Sequence, residues 1–158
     1  MGSYSFKSVG KTPEQRVVES LLSSPTPVGI KTPLELGAGD NKELLVMHYS
    51  LSNAVHDNLR NLLLTNWGER LGFYRFGANL RPLLTEYVSQ EDFDTVAIER
   101  ISSAVSTWMP FVSLDNFLST VDRSYADQSL AKITIAITYN IPDIDAVSRS
   151  LEIILKSM

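Results

Sequence analysis

The chain has 158 residues, 44% of them hydrophobic and 20% charged, with a formal net charge of -4 and no cysteine. That is enough chain for one compact domain with a real core, and an acidic balance without a Lys/Arg block argues against a nucleic-acid backbone or an anionic membrane surface as partner. The missing cysteines exclude disulfides, thiolate zinc sites and cysteine nucleophiles, and they fit folding in a reducing cytoplasm.

No apolar run approaches the roughly 18 residues of a membrane span, and the opening residues Met1–Lys7 lack the apolar core of a signal peptide, so Sec export is not expected. Residues 1–11 are polar and rich in Gly and Ser, and are expected to be mobile unless a partner holds them. A helix is expected over 12–24: Thr12 as N-cap, Pro13 in the first turn, Gln15 completing a capping box, and Val17, Val18, Leu21 and Leu22 as its apolar stripe. Pro25 and Pro27 cannot continue it. Residues 25–43, with Pro33, Gly37, Gly39 and Asp40, read as an extended linker.

A longer helix is predicted from about Ser52 to Asn66, with Gly68 as its C-terminal stop. A third should follow Gly77, presenting Leu80, Leu83, Leu84, Tyr87 and Val88. A fourth should begin near Ser89–Asp92, carry Phe93, Val96, Ala97, Ile101, Ala104, Val105 and Trp108, and end at Pro110. The period then changes from 3.6 to 2. Residues 111–122 alternate imperfectly, Val112 and Leu114 on one face and Phe117 and Val121 on the other, a mismatch that a bulge near Asp115–Asn116 would repair. Residues 132–141 alternate cleanly, and Arg123–Ser129 reads as the hairpin loop. Leu151, Ile153 and Leu155 favour a third strand, although Ile144, Val147, Leu151, Ile154 and Leu155 could line a helix capped by Asp143. The expected fold class is α+β, with N-terminal helices packed on a small antiparallel sheet. Residues 1–32 form an N-terminal extension and residues 33–158 the domain.

The run Leu62-Leu63-Leu64-Thr65-Asn66-Trp67-Gly68-Glu69-Arg70, followed by Phe76-Gly77-Ala78-Asn79-Leu80, resembles the tail baseplate wedge family often labelled gene 25-like lysozyme. That family includes the corresponding subunit of type VI secretion baseplates. Its pattern is an apolar helix ending in Leu-x-Thr, a Gly-Glu-Arg turn, a short loop, then Phe-Gly opening the next helix; more loosely, the likeness runs from about Pro33 to Ile141. Two positions depart from it. Tyr74-Arg75 stands where the family has Pro-Asp, and Met109-Pro110-Phe111 stands where the family has Glu-Pro-Arg, so that seam should bind by apolar packing rather than ion pairing.

The resemblance implies a structural protein of a contractile tail, placed in the virion tail baseplate after assembly in the host cytoplasm. It implies other wedge proteins, the tail sheath protein and the tail tube as partners, with no nucleic acid, membrane or small-molecule substrate. The sheath would start on it by β-augmentation. Expected interface residues are Glu69, Arg70, Phe76, Gly77, Met109, Pro110 and Phe111, with Lys132, Thr134 and Thr138 as outward residues of the hairpin 111–141, which is expected to supply an open edge on one side or the other. The family label also raises a muramidase alternative, but no acid/nucleophile pair can be placed among Glu69, Glu86, Glu91, Asp92 and Asp94. Glu69 adjoins Arg70, which should lower its pKa. His48 and His56 show no ligand or carboxylate at a useful spacing, so no metal, cofactor or catalytic residue is expected.

Overall fold

The computed structural model describes Glu14 and residues 26–37, 44–86, 90–122, 132–142 and 144–156. The helix expected over 12–24, the hairpin loop 123–129, and Tyr87 and Val88 lie outside the described residues.

Within them the order is β1 (Gly29–Ile30), β2 (Met47–His48), α1 (Leu51–Leu64), the single turn α2 (Leu83–Glu86), α3 (Gln90–Trp108), then β3 (Ser113–Asp122), β4 (Lys132–Ile141) and β5 (Asp145–Lys156). The last three strands form one antiparallel sheet in the order β3-β4-β5, and β1 pairs with β2 separately. The α+β class is as expected.

The sheet reads directly from its alternation. Ile133, Ile135, Ile137, Tyr139 and Ile141 of β4 are buried, as are Leu151, Ile153 and Leu155 of β5, which makes the C-terminal segment the strand rather than the helix. A register shift between Leu114 and Asn116 is the expected bulge. Its effect is that Leu114 and Phe117 both pack against the core, instead of on opposite faces. On the covered face, α1 lies against β5 and α3 against β3. Leu59, Leu62 and Leu63 of α1, together with Phe93, Ala97 and Ile101 of α3, complete one core with the sheet.

Three expectations need correction. The expected linker is not free chain: Val28 N–H donates to His48 O at 2.7 Å, Lys31 N–H to Val46 O at 3.0 Å and Val46 N–H to Glu35 O at 3.0 Å. A short ribbon forms because an extended segment beside a helix needs partners for its backbone groups. Second, α1 stops at Thr65, not at Gly68. The returning segment caps it, with Ala78 N–H donating to Leu62 O and Asn79 N–H to Thr65 O, so the carbonyls left open at the helix end are satisfied from outside. Third, β4 is paired on both sides, to β3 and to β5. Lys132, Thr134 and Thr138 therefore stand on the outward face of a central strand, whose backbone offers no open edge.

A candidate interaction groove at the Gly68–Phe76 turn

The turn after α1 is held by its own residues. Gly68 has a φ of 85°, and its N–H donates to Tyr74 O at 2.8 Å, closing the loop. Glu69 reaches back to Asn66, accepting from its backbone N–H and from its side-chain Nδ2, both at 2.8 Å. These two bonds hold the Glu69 carboxyl below its usual pKa. The direction matches the sequence-based expectation, but the cause is Asn66 rather than the neighbouring Arg70. Asn66 Oδ1 in turn accepts from Arg81 N–H at 3.3 Å.

Gly77 explains why Phe76 is followed by glycine. Its φ is 108°, and a Cβ there would stand 2.1 Å from the Thr65 carbonyl oxygen. The chain crosses the end of α1 at backbone contact distance, where no side chain fits. Trp67 Nε1–H donates to Gly77 O at 3.1 Å and fastens the crossing from the other side.

Arg70 then stacks on aromatic rings. Its guanidinium carbon lies 4.2 Å from the Phe76 ring centre and 5.5 Å from that of Phe73. Both rings meet Trp108 edge-on, at 5.1 Å and 5.8 Å. The stack holds a cation at the surface over an apolar floor. Around it opens a groove of about 690 Å³ lined by Glu69, Arg70, Phe76, Met109 and Phe111, with Trp108, the α1 residues Asn58 and Asn61, and Thr65 at the C-cap of α1. Five of the expected interface residues are thus brought together. Gly77 is buried at the crossing behind them and Pro110 is exposed beside them, while Lys132, Thr134 and Thr138 do not line the groove. Asn58, Asn61 and Thr65 were missed, although their spacing of three and four places them on one face of a helix.

A second, polar cleft of about 420 Å³ is lined by His48, Asn53, His56, Asp57, Arg149 and Ser150. His48 Nε2 is 2.7 Å from Asp57 Oδ2, which corrects the reading that no carboxylate serves either histidine: the ribbon folds back and brings the pair together. Thr32 N–H also donates to Asp57 Oδ2, at 2.8 Å. Burial opposes ionisation of Asp57, but the hydrogen bonds from Thr32 and His48 outweigh it and hold the carboxyl below its usual pKa. His56 Nδ1 pairs with the buried Tyr139 hydroxyl at 2.8 Å. Burial lowers its pKa, and Arg149 and Arg60 add to this against the opposing charge of Asp57. Among the described residues no three His, Cys, Asp or Glu side chains are grouped to hold a metal ion, and no helix is long and apolar enough to cross a membrane.

Neither a protein-family model nor a curated protein matches the sequence. Among solved structures, a chain of the anti-feeding prophage (AFP) baseplate, determined by cryo-EM, aligns over 80% of this chain and 82% of its own at 15% identity and a TM-score of 0.52. A candidate tail lysozyme from Geobacter sulfurreducens aligns over 68% of this chain and 89% of its own, at 17% identity and a TM-score of 0.46. At such identity the AFP likeness defines a shared fold, and that fold is the one the turn motif led us to expect.

Proposed function

We propose that the chain is a structural component of a contractile-tail baseplate wedge, docking other wedge proteins through the Arg70 groove and starting the tail sheath by β-augmentation. The observation that carries this reading is the fold shared with a chain of a baseplate over 80% of the sequence. The groove supports it: Phe111 is 44% exposed beside the buried Met109, and a cation preset on aromatic rings suits a protein–protein seam. Ahead of the ribbon, the amphipathic stretch 12–24 docks a further wedge protein.

Produced together with its wedge partners, the chain should co-elute with them in size-exclusion chromatography. Phe111→Ala should weaken that complex roughly tenfold, the scale of a lost aromatic contact, while leaving the circular dichroism spectrum unchanged. A chain lacking residues 1–24 should keep its melting temperature and lose affinity for the wedge. Wild-type affinity in both variants would overturn the docking assignments. Peptidoglycan turbidity should not clear, because Glu69 is held ionised within its turn and a general acid must start protonated. Clearing that disappears in Glu69→Gln would restore the muramidase alternative.

A further inference from the structure

Between Arg70 and Phe76 the chain turns two corners at the surface. Phe73 N–H donates to Arg70 O at 3.1 Å and Phe76 N–H to Phe73 O at 3.0 Å, so Leu71-Gly72 and Tyr74-Arg75 are the central pairs of two successive turns. Gly72 has a φ of 81°, the value that a type II turn requires at its third position. Such corners ordinarily carry proline, glycine, asparagine or aspartate. Here each opens with a large side chain that leaves its apolar surface in water: Leu71 is 100% exposed and Tyr74 71%. Neither lines the groove beside Arg70.

The tip is held from below. Gly68 N–H donates to Tyr74 O at 2.8 Å across its base, and a Cβ at Gly68 would meet the Tyr74 ring at 3.3 Å, so that ring lies over the glycine backbone. Phe73, between the two corners, meets Trp108 edge-on instead. A tip fixed in this way loses little conformational freedom when a partner covers it. Its charge is also distinct from that of the chain. The net charge of the whole is -4, yet the loop carries the exposed Arg70 and Arg75 against Glu69 alone, and Glu69 is engaged by Asn66.

We infer that the Leu71–Tyr74 tip is a docking knob in its own right, and that its partner is a protein offering an apolar pocket with an acidic rim. Leu71 and Tyr74 fill the pocket, while Arg70 and Arg75 face the rim. A bilayer is a poor occupant: one myristoyl chain alone gives only marginal membrane binding, and a leucine with a tyrosine buries less apolar surface than that. A second copy also fits poorly, because its groove presents its own Arg70 guanidinium at the surface and like charges would meet. That the partner is a neighbouring baseplate protein rests on the baseplate reading; the chemistry of its pocket does not.

The test places the photo-crosslinking residue benzoylphenylalanine at position 71 of the full chain, or at the equally accessible Leu44 on the ribbon side, in cells that produce the protein. Position 71 should crosslink to one protein other than the chain itself, and position 44 should not. That protein, once purified, should bind the wild-type chain. Leu71→Asp should weaken the binding roughly tenfold or more, the scale of one leucine returned to water, and Leu44→Asp should leave it unchanged. Arg75→Glu should weaken it as well and flatten its dependence on ionic strength. All three substitutions fall on exposed residues and should keep the wild-type circular dichroism spectrum. No crosslink at position 71, a crosslink to a second copy, wild-type affinity in Leu71→Asp, or Leu71-dependent binding to phosphatidylserine vesicles would each overturn the assignment. If the crosslinked protein is no baseplate component, the baseplate reading fails and the knob stands. If the wild-type chain and Leu71→Asp co-elute equally well with the wedge proteins, the knob fails and the baseplate reading stands.

Discussion

Gly77 and Gly72 show how two glycines of similar φ can differ in consequence. Gly77 has a φ of 108° and a Cβ position 2.1 Å from the Thr65 carbonyl oxygen, whereas Gly72 has a φ of 81° and nothing within 4 Å. Gly72→Ala pays for the backbone conformation alone, about 1 kcal/mol. Gly77→Ala must also push the chain off the end of α1, breaking the bonds from Ala78 and Asn79 that cap it, so its cost should be about 3 kcal/mol or more. Urea unfolding of the two variants measures this directly, and equal midpoints would show that the crossing yields. The Phe76-Gly77 pair was legible in the sequence as the opening of the next segment. What Gly77 approaches was not, because Thr65 lies twelve residues away and only the folded loop sets them together. Glu69 follows the same logic. Sequence adjacency pointed to Arg70, yet the turn directs the carboxylate to Asn66 and the guanidinium to Phe76.

At the scale of elements, periodicity carried most of the fold. The buried isoleucines of β4 lie at every second residue and the apolar stripe of α3 at helical spacing, and both stand where those patterns put them. The third strand was the preferred reading of the C-terminus because Leu151, Ile153 and Leu155 alternate; their burial decides it. Strand order was not legible, since alternation fixes which face a strand buries and is silent on which neighbours it has. Hence the open edge expected of the hairpin 111–141 could not be assigned to a strand, and the structure makes 132–141 central. A proline there is now expected to remove a ladder bond inside the sheet. Thr138→Pro should therefore abolish cooperative thermal unfolding, measured by circular dichroism, rather than yield a folded chain defective only in assembly. A cooperative transition near the wild-type temperature would contradict the central position of β4.

Across the whole molecule, the polar cleft ties three parts into one unit. Asp57 of α1 accepts from Thr32 and pairs with His48 of the ribbon, while His56, its neighbour on α1, pairs with Tyr139 at the heart of the sheet. The ribbon's attachment was illegible because His48 and Asp57 are nine residues apart with a helix start between them. The cleft also gives the fold a directional response to pH. His56 has a folded pKa below its ordinary 6.5, so the unfolded chain takes up its proton first. Its contribution is full above that value and is lost as pH falls toward the folded value. Asp57 is likewise lowered, from an ordinary 3.8, so its contribution is present above 3.8 and is lost as pH falls through the lower, folded value. Both shifts thus weaken the fold on acidification, in two separate windows. Urea midpoints should fall between pH 7 and 5 in the wild type. His56→Gln, which does not titrate and offers Tyr139 an amide partner, should remove that slope while leaving the loss below pH 4. Asp57→Asn should lower stability at neutral pH and flatten the acid limb, because the group whose ionisation was favoured by folding is gone. A His56→Gln variant that keeps the full slope from pH 7 to 5 would show that groups outside this cleft govern the response.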